Sequence, residues 1–407
     1  MTSQIFLTNQ SGIVIASDTM VSWGDRHGRK TLPDCSKISE LGSQHQVVVA
    51  TSGYSGINNL EFSTLIREWG MQLRDPLPTL TDYAASFAEW AKRGVPLFHL
   101  DETALAHTYF CRSLSDLNEA TNGEFFRQTS APTKDASAEE IKAVESAVTA
   151  LIKNFDFGSN PQKGSTVEKV KRFLASCNDG EKKFFSHLVD DAEIKWKPSR
   201  AFQKTLRELL YKIFLNFVPG TSTTSLNFVG FGAIEPLAGH VEMTVRGYVD
   251  GELRITMGSR EPEPTDIYAH WYFAAQKGAM EALLEGVDYD ELVWTLGVVN
   301  EVLSSDFGFA NEQLHTLRAK TDEKIVNYFN EAYRDPAQRI VSAAALPGLV
   351  RFADALVHVQ SLRSVSTLGE ATVGGLIEVV SISRTAGVQW HRRLTASLDS
   401  GSAHVLV

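Results

Sequence analysis

The chain has 407 residues, of which 43% are hydrophobic and 22% charged, and it carries a formal net charge of −10 at pH 7. This composition supports a sizeable core and excludes wholesale disorder, and the length favours two domains or one domain with large insertions. The acidic balance argues against a nucleic-acid partner, because phosphate binding needs a basic surface. No apolar stretch is long enough to cross a bilayer, so no membrane partner is expected.

Cysteine and histidine usage limits the chemistry further. Cys35, Cys111 and Cys177 are widely separated and form no CxxC pair, which fits a reducing compartment and argues against a disulfide framework. The eleven histidines show neither HExxH nor HxH spacing, so we expect no metal site and no cofactor. The start of the chain lacks the basic region and apolar run of a signal peptide. We therefore expect a cytoplasmic protein.

Strand patterns dominate the first fifty residues. Short apolar runs bounded by turn residues predict four strands, which form two hairpins. They are Gln4 to Thr8, Gly12 to Ser17, Ser36 to Leu41 and Gln46 to Thr51. The polar segment from Gly24 to Lys30 is predicted to be a loop.

Helical patterns follow. An apolar stripe from Leu60 to Leu73 predicts one helix. Thr79, with Asp82 three residues later, marks the start of a second helix. We group residues 1–110 as the first half of the fold.

Residues 111–222 have a different character, because polar linkers separate amphipathic segments. Ser137 with Glu140, and Ser165 with Glu168, form capping-box patterns before apolar runs. Apolar residues from Leu206 to Phe217 define a further helix. This region is predicted to be a helical insertion.

Strands and helices alternate again in residues 223–407. Strands are predicted at Leu226 to Gly232, Val241 to Val249, Glu252 to Met257, Leu376 to Ser383 and Val388 to Arg392. Between them, residues 267–358 show helical patterns, including the aromatic patch at residues 270–273, within an extended helical segment near residues 266–365. Gly374 and Gly375 precede the last hairpin. The chain therefore has an α+β layered plan.

Thr2 is a candidate nucleophile at the start of the chain. If Met1 is removed, Thr2 carries a hydroxyl nucleophile and an α-amine base in one residue. The amine has an ordinary pKa of about 7.7–8.0, so it can accept a proton near neutral pH. The first strand pair, which ends at Asp18, provides a framework for such a site.

Several motifs resemble, in chain order, those of the proteasome-type N-terminal nucleophile hydrolases. Residues 12–18 are similar to the family's second strand, and residues 36–41 to the segment with its catalytic lysine. Residues 51–53 resemble the turn that forms its oxyanion hole, and residues 370–375 resemble its Asp-Ala-x-Ser-Gly-Gly. The resemblance implies a four-layer αββα sandwich with helical insertions. It also implies rings formed by self-assembly.

The resemblance assigns a role to each candidate catalytic residue: Thr2, Asp18, Lys37, Gly53 and Glu370. Lys37 would place a positive charge beside the amine, which lowers the amine pKa. Asp18 would be the partner of Lys37, because a buried carboxylate needs one. The Gly53 N–H would stabilise the oxyanion by about 3 kcal/mol, and Glu370 would orient the amine network. A solvated lysine, a turn aspartate and an ordinary glycine turn are the alternatives.

Two departures from the family pattern bear on activity. Val373 stands where the family has its second serine, and Glu370 stands where it has aspartate. The family's Gly-Ser-Gly-Ser turn is missing, with Gly258-Ser259 as a remnant followed by an inserted segment. Thr372 or Ser259 is a candidate to replace the lost hydroxyls.

Three functions follow from these observations. The first is a threonine hydrolase that cleaves peptide bonds in a peptide or unfolded protein, without a cofactor, as a homo-oligomer. The second is a non-catalytic scaffold or binding protein with the same fold. The third is an amidohydrolase that acts on a small non-peptide amide.

Overall fold

The computed structural model describes residues 2–25, 28–32, 35–53, 56–57, 60–92, 102–121, 123–132, 136–155, 166–177, 180–216, 224–249, 252–260, 268–306, 321, 324–368, 373–396 and 403–406. Among them, no helix has the length and apolar character needed to cross a membrane. The protein is of mixed α+β type, with two large antiparallel sheets and helices.

The strands of the described residues, in chain order, are β1 (Ser3–Asn9), β2 (Gly12–Asp18), β3 (Val21–Asp25), β4 (Gly28–Leu32), β5 (Ile38–Glu40), β6 (Val47–Gly53), β7 (Gly56–Ile57), β8 (Leu60–Glu61), β9 (Thr224–Gly230), β10 (Gly239–Val249), β11 (Glu252–Arg260), β12 (Ala269–Ala275), β13 (Ile377–Ser383), β14 (Gly387–Ala396) and β15 (Ala403–Leu406). The first large sheet has the order β12-β1-β2-β13-β14-β15, and the second has the order β11-β10-β9-β6-β5. Two small hairpins, β3-β4 and β7-β8, complete the strand pairs.

The helices are α1 (Phe62–Gly70), α2 (Leu80–Lys92), α3 (Glu102–Ala120), α4 (Glu124–Ser130), α5 (Ala138–Asn154), α6 (Val167–Ser176), α7 (Gly180–Asp191), α8 (Arg200–Leu215), α9 (Gly278–Leu284), α10 (Tyr289–Ser305), α11 (residues 324–329), α12 (Asp335–Ala343) and α13 (Leu346–Leu368). A π-helical turn, Asn330–Arg334, joins α11 to α12.

The two large sheets pack face to face, as the alternation of side chains along β1 shows. Phe6 belongs to a buried cluster that also contains Val48 and Val229 of the second sheet. Its neighbours Ile5 and Leu7 point to the opposite face, where they pack with helices α9, α12 and α13. This period of two is the reason that β1 has one face in each core.

The other face of the second sheet is covered by α1 and α2. Trp69, Tyr83 and Phe87 from these helices pack with Val47 and Val49 of β6 in one buried cluster. Burial of each large apolar side chain contributes about 1.5–3 kcal/mol. The described elements therefore lie in the order helices, sheet, sheet, helices.

Helices α3 to α8 form a separate hydrophobic cluster between residues 106 and 214. This unit contacts the second sheet through α3 and β10. A Cβ at Gly247 would lie 3.0 Å from Cδ2 of Tyr109, so the two elements approach closely there. Arg254 on β11 donates a hydrogen bond to the Phe214 carbonyl at 2.8 Å.

Local capping signals are confirmed in part. Ser137 and Glu140 form a reciprocal capping box at the start of α5, and Thr79 exchanges hydrogen bonds with Asp82 before α2. Ser165 lies outside the described residues. The N-cap of α6 is Thr166, whose side chain accepts from the Lys169 N–H.

Two predictions about secondary structure are wrong. Residues 269–275, assigned to a helical segment, form strand β12, which pairs with β1 along its whole length. Within the predicted loop at residues 24–30, Gly24 pairs with Arg29 and Asp25 pairs with Gly28 in strands β3 and β4. In each case, backbone pairing with a neighbouring strand decides the structure, which local periodicity does not report.

Candidate active site

Asp18 lies at the centre of the candidate site. It ends β2 and has no solvent exposure. Its Oδ1 accepts hydrogen bonds from the Ser3 N–H at 2.9 Å and from Lys37 Nζ at 2.6 Å. Its Oδ2 accepts from the Gly374 N–H at 3.2 Å. Three separate segments of the chain therefore meet on one carboxylate.

Lys37 is held in the same buried position by its backbone and its side chain. Its Nζ also donates to the Met20 carbonyl at 2.7 Å. Its own carbonyl accepts from the Thr51 N–H at 2.8 Å, which fixes Lys37 just before β5. The side chain is 7% exposed, so the alternative of a solvated lysine at a strand edge does not hold.

Burial acts against the charge on both members of this pair. It raises the pKa of Asp18 and lowers the pKa of Lys37, while the partner and the hydrogen bonds oppose these shifts. A buried ion pair of this kind stays charged only while both members are present, because an isolated buried charge is very costly. Asp18 and Lys37 therefore depend on each other.

Thr2 lies next to this pair. It precedes Ser3, whose N–H shares the Asp18 oxygen with Lys37. The Thr2 carbonyl accepts from the Gln276 N–H at 2.9 Å, which extends the pairing of β1 with β12. The residue is only 5% exposed. The residue that follows Thr2 is thus hydrogen-bonded to the carboxylate that pairs with Lys37, and the joint catalytic action of Thr2, Asp18 and Lys37 stays a prediction.

Gly53 lies at the end of β6, opposite Thr224. Gln4 connects this strand to β1, because its Nε2 donates to the Thr51 carbonyl at 3.0 Å and to Ser17 Oγ at 3.1 Å. Gly53 follows Thr51 by two residues, is exposed, and has a φ of 89°, which favours glycine. Gly53 thus ends the strand that Gln4 connects to β1, and its role at the oxyanion stays a prediction.

Gly374 and Gly375 form a turn that contacts Asp18 and the residues that follow it. The Gly374 carbonyl accepts from the N–H groups of Thr19 and Met20, both at 3.2 Å. Gly375 has a φ of 74°, and a Cβ there would lie 2.7 Å from Thr19 Oγ1. Only glycine therefore lets this turn approach closely enough for the Gly374 N–H to reach Asp18.

The structure describes only some of the residues that bear on the departures from the family pattern. Glu370 and Thr372 lie outside the described residues. Val373, which the sequence resemblance aligned with the family's second serine, is a fully buried apolar side chain. Ser259 lies in β11, at the far edge of the second sheet from β6.

Sequence reasoning missed Glu378, a further carboxylate beside this site. It is fully buried on β13, opposite Ser17, and accepts from Ser36 Oγ at 2.8 Å and from the Leu394 N–H at 3.1 Å. Burial raises the pKa of Glu378, and its negative charge favours protonated Lys37. The signal was available: Glu378 is the one acidic residue in an otherwise uncharged strand.

A cavity of about 150 Å³ lies at the other end of β1. Phe6 and Thr8 contribute to its lining, together with His240, Tyr272 and Arg334. The His240 ring packs against Phe6 and Tyr272, with centroids at 5.2 and 4.5 Å. None of the residues that surround Asp18 lines this cavity.

No known family model matches the chain, and no curated protein matches it. The site holds a hydroxyl residue, a buried cation and a glycine-edged strand, which are components of acyl transfer by a nucleophile.

Proposed function

We propose that this protein is a threonine-type hydrolase of the proteasome-like N-terminal nucleophile class, which cleaves peptide bonds with Thr2. The observation that carries this proposal is the buried Asp18–Lys37 pair, hydrogen-bonded through Asp18 to the amide that follows Thr2. The layering of helices, sheet, sheet and helices supports the further proposal that the fold is the αββα sandwich of that class.

The proposed reaction begins when the residues preceding Thr2 are removed. The freed α-amine takes the proton of the Thr2 hydroxyl, and Oγ1 attacks the carbonyl carbon of the substrate. Lys37 lowers the pKa of this amine by charge repulsion, which keeps it available as a base near neutral pH. The N–H of Gly53 stabilises the developing oxyanion.

Collapse of the tetrahedral intermediate breaks the C–N bond. The protonated amine of Thr2 returns its proton to the leaving nitrogen, and an ester on Thr2 Oγ1 remains. Water then attacks this ester, with the same amine as the base, and releases the acid product. The chain needs no cofactor for these steps.

The test of this proposal uses the intact purified chain. Mass analysis of the N-terminus is expected to show Thr2 as the first residue, and N-capped fluorogenic peptides are expected to be hydrolysed. A chain with a blocked Thr2 amine that still hydrolyses these peptides would overturn the assignment of the base.

A non-catalytic binding protein is the second candidate. The buried Val373 and the small exposure of Thr2 favour it, and the cavity beside His240 offers a separate place for a ligand. Hydrolysis of a small non-peptide amide is the third candidate. A broad peptide panel with no turnover, together with a freed Thr2 amine, would favour these alternatives.

The described surface also supports the proposal that a second copy of this chain is a partner. Helix α10 exposes a row of large apolar side chains, an uncommon feature for the free surface of a monomer. They are Val293, Trp294, Val298, Val299 and Val302, with exposed fractions from 39% to 71%.

Substitution of Trp294 and Val298 by aspartate is expected to lower the mass of the particle in solution. Two desolvated carboxylates would oppose the packing of an apolar face against its copy. Light scattering after size exclusion measures this mass. Ser304→Asp, which adds a charge at an exposed position of the same helix, is the matched control. An unchanged mass in the double variant would exclude α10 as the contact.

A further inference from the structure

Three side chains with metal-binding atoms converge in the helical unit formed by α3 to α8. His107 and Cys111 are four residues apart on α3 and so lie on the same face of that helix. Asp191 is the last residue of α7. The three ligand atoms lie within 4.8 Å of one another.

The separations between these atoms are unusually even. Cys111 Sγ lies 3.6 Å from His107 Nε2 and 3.4 Å from Asp191 Oδ2, and these latter two atoms are 3.5 Å apart. With Zn–S and Zn–N bonds of ordinary length, the ligand atoms of a tetrahedral zinc site lie about 3.3–3.8 Å apart. All three separations fall in this range.

The arrangement differs from a nucleophilic Cys–His–Asp triad. In such a triad, cysteine and aspartate contact opposite nitrogens of the imidazole ring. Here Cys111 Sγ lies 3.6 Å from Nε2 and 3.9 Å from Nδ1 of His107, Asp191 also approaches Nε2, and Cys111 and Asp191 contact each other.

His187 provides an independent observation beside the cluster. Its ring centroid lies 4.7 Å from that of His107. Its Nδ1 is buried and has no hydrogen-bond partner within the described part of the chain. A buried imidazole nitrogen of this kind is costly unless it has a partner, so the surroundings of the cluster hold a polar group that is not yet satisfied.

We propose that His107, Cys111 and Asp191 bind a zinc ion, with a water molecule in the fourth position of the tetrahedron. Thiolate, imidazole and carboxylate are the ligands that zinc takes in proteins, whereas Mg²⁺ and Ca²⁺ prefer oxygen alone. The His107 and Asp191 side chains are 37% and 34% exposed, so an ion can reach the cluster from solvent. Binding would displace the Cys111 proton into solvent.

The site would act on the stability of the helical unit. It would connect α3, which contacts β10 of the second sheet, to the end of α7. Ligands from separate helices do not form a preorganised site in the unfolded chain, so zinc would bind the folded state preferentially and stabilise it. This inference is independent of the proposed hydrolase activity, and it differs from the sequence-based expectation of no metal site.

Cobalt(II), added to the full-length chain after treatment with a chelator, tests the proposal. One equivalent is expected to give the absorption bands of tetrahedral Co²⁺ and a sulfur-to-cobalt charge-transfer band, both removed by one equivalent of Zn²⁺. Zinc is also expected to raise the melting temperature of the metal-free chain. We expect one of two effects in each of the variants Cys111→Ser and His107→Gln. Either the charge-transfer band is abolished, or the affinity for zinc falls by at least about 100-fold.

His358→Gln is the matched control, because His358 is an exposed helical histidine that faces a carboxylate four residues away, as a metal ligand pair would. This variant should keep the full cobalt spectrum. A wild-type chain without a charge-transfer band would overturn the proposal, as would an unchanged band in Cys111→Ser. If Cys111→Ser loses its helical circular dichroism, Asp191→Asn, which keeps the thiol, replaces it, and a fall in the affinity for zinc is then the expected result.

Discussion

Thr2→Ala is expected to abolish peptide hydrolysis, with a loss in turnover of at least about 10⁴-fold. The substitution removes the only oxygen that can form the acyl-enzyme in the proposed reaction, while the α-amine and the Asp18–Lys37 pair remain. The free energy of unfolding should change by about 1 kcal/mol or less, since a small side chain at the start of a strand is lost. Release of fluorophore from N-capped peptides measures the activity, and urea denaturation measures the stability.

Two control variants separate chemistry from structure. Thr2→Ser retains a hydroxyl and should retain measurable hydrolysis. Thr8→Ala removes the same atoms from the other end of β1 and should leave turnover unchanged. Mass analysis establishes that residue 2 is the first residue in each variant. Equal activity in wild type and Thr2→Ala would contradict the proposed function and favour a different nucleophile.

Removal of either charge of the buried pair is expected to destabilise the fold by about 3–5 kcal/mol. Asp18→Asn leaves the Lys37 ammonium buried without its hydrogen-bonded counter-charge, and Lys37→Met leaves the Asp18 carboxylate buried without its own. The double variant has no isolated charge, so we expect it to be more stable than either single variant. Both single variants should also lose hydrolysis.

A double-mutant cycle in urea gives the coupling between the two residues. Arg392→Met is the matched control, because Arg392 pairs with Asp354 through two hydrogen bonds while both side chains keep contact with water. Its effect should be smaller, since exposed pairs are screened. If the losses in free energy of unfolding for Asp18→Asn and Lys37→Met add up in the double variant, the two residues are not coupled, which would contradict the mutual dependence described above.

The sequence predicted those parts of the fold that depend on neighbouring residues. The capping box at Ser137 is an example, because its donors and acceptors lie within one helical turn. Strand β12 was missed for the opposite reason. Its aromatic residues suit a helix as well as a strand, and only pairing with β1, more than 260 positions away in the chain, decides between them.

In the candidate site as well, residues that belong to local patterns were predicted, and residues held by contacts with distant parts of the chain were missed. Asp18 and Lys37 were found because each ends or precedes a recognisable strand and matches a family motif. Glu378 was missed, although its carboxylate reaches Ser36, since this contact joins residues 342 positions apart. The His107–Cys111–Asp191 cluster was missed because its members are not grouped in the sequence. His107 and Cys111 are spaced like any two residues on one face of a helix, and Asp191 comes from another helix.

The pairing of β1 on both edges has a consequence for the production of this protein. Ser3 lies opposite Ala275 on one side, and Gln4 lies opposite Ser17 on the other, while burial of Ile5 and Phe6 on opposite faces fixes the register. The strand cannot slip to accommodate extra residues. For the proposed reaction, a recombinant fusion at the N-terminus has to be cut immediately before Thr2, because a single leftover residue would convert the amine that acts as the base into an amide.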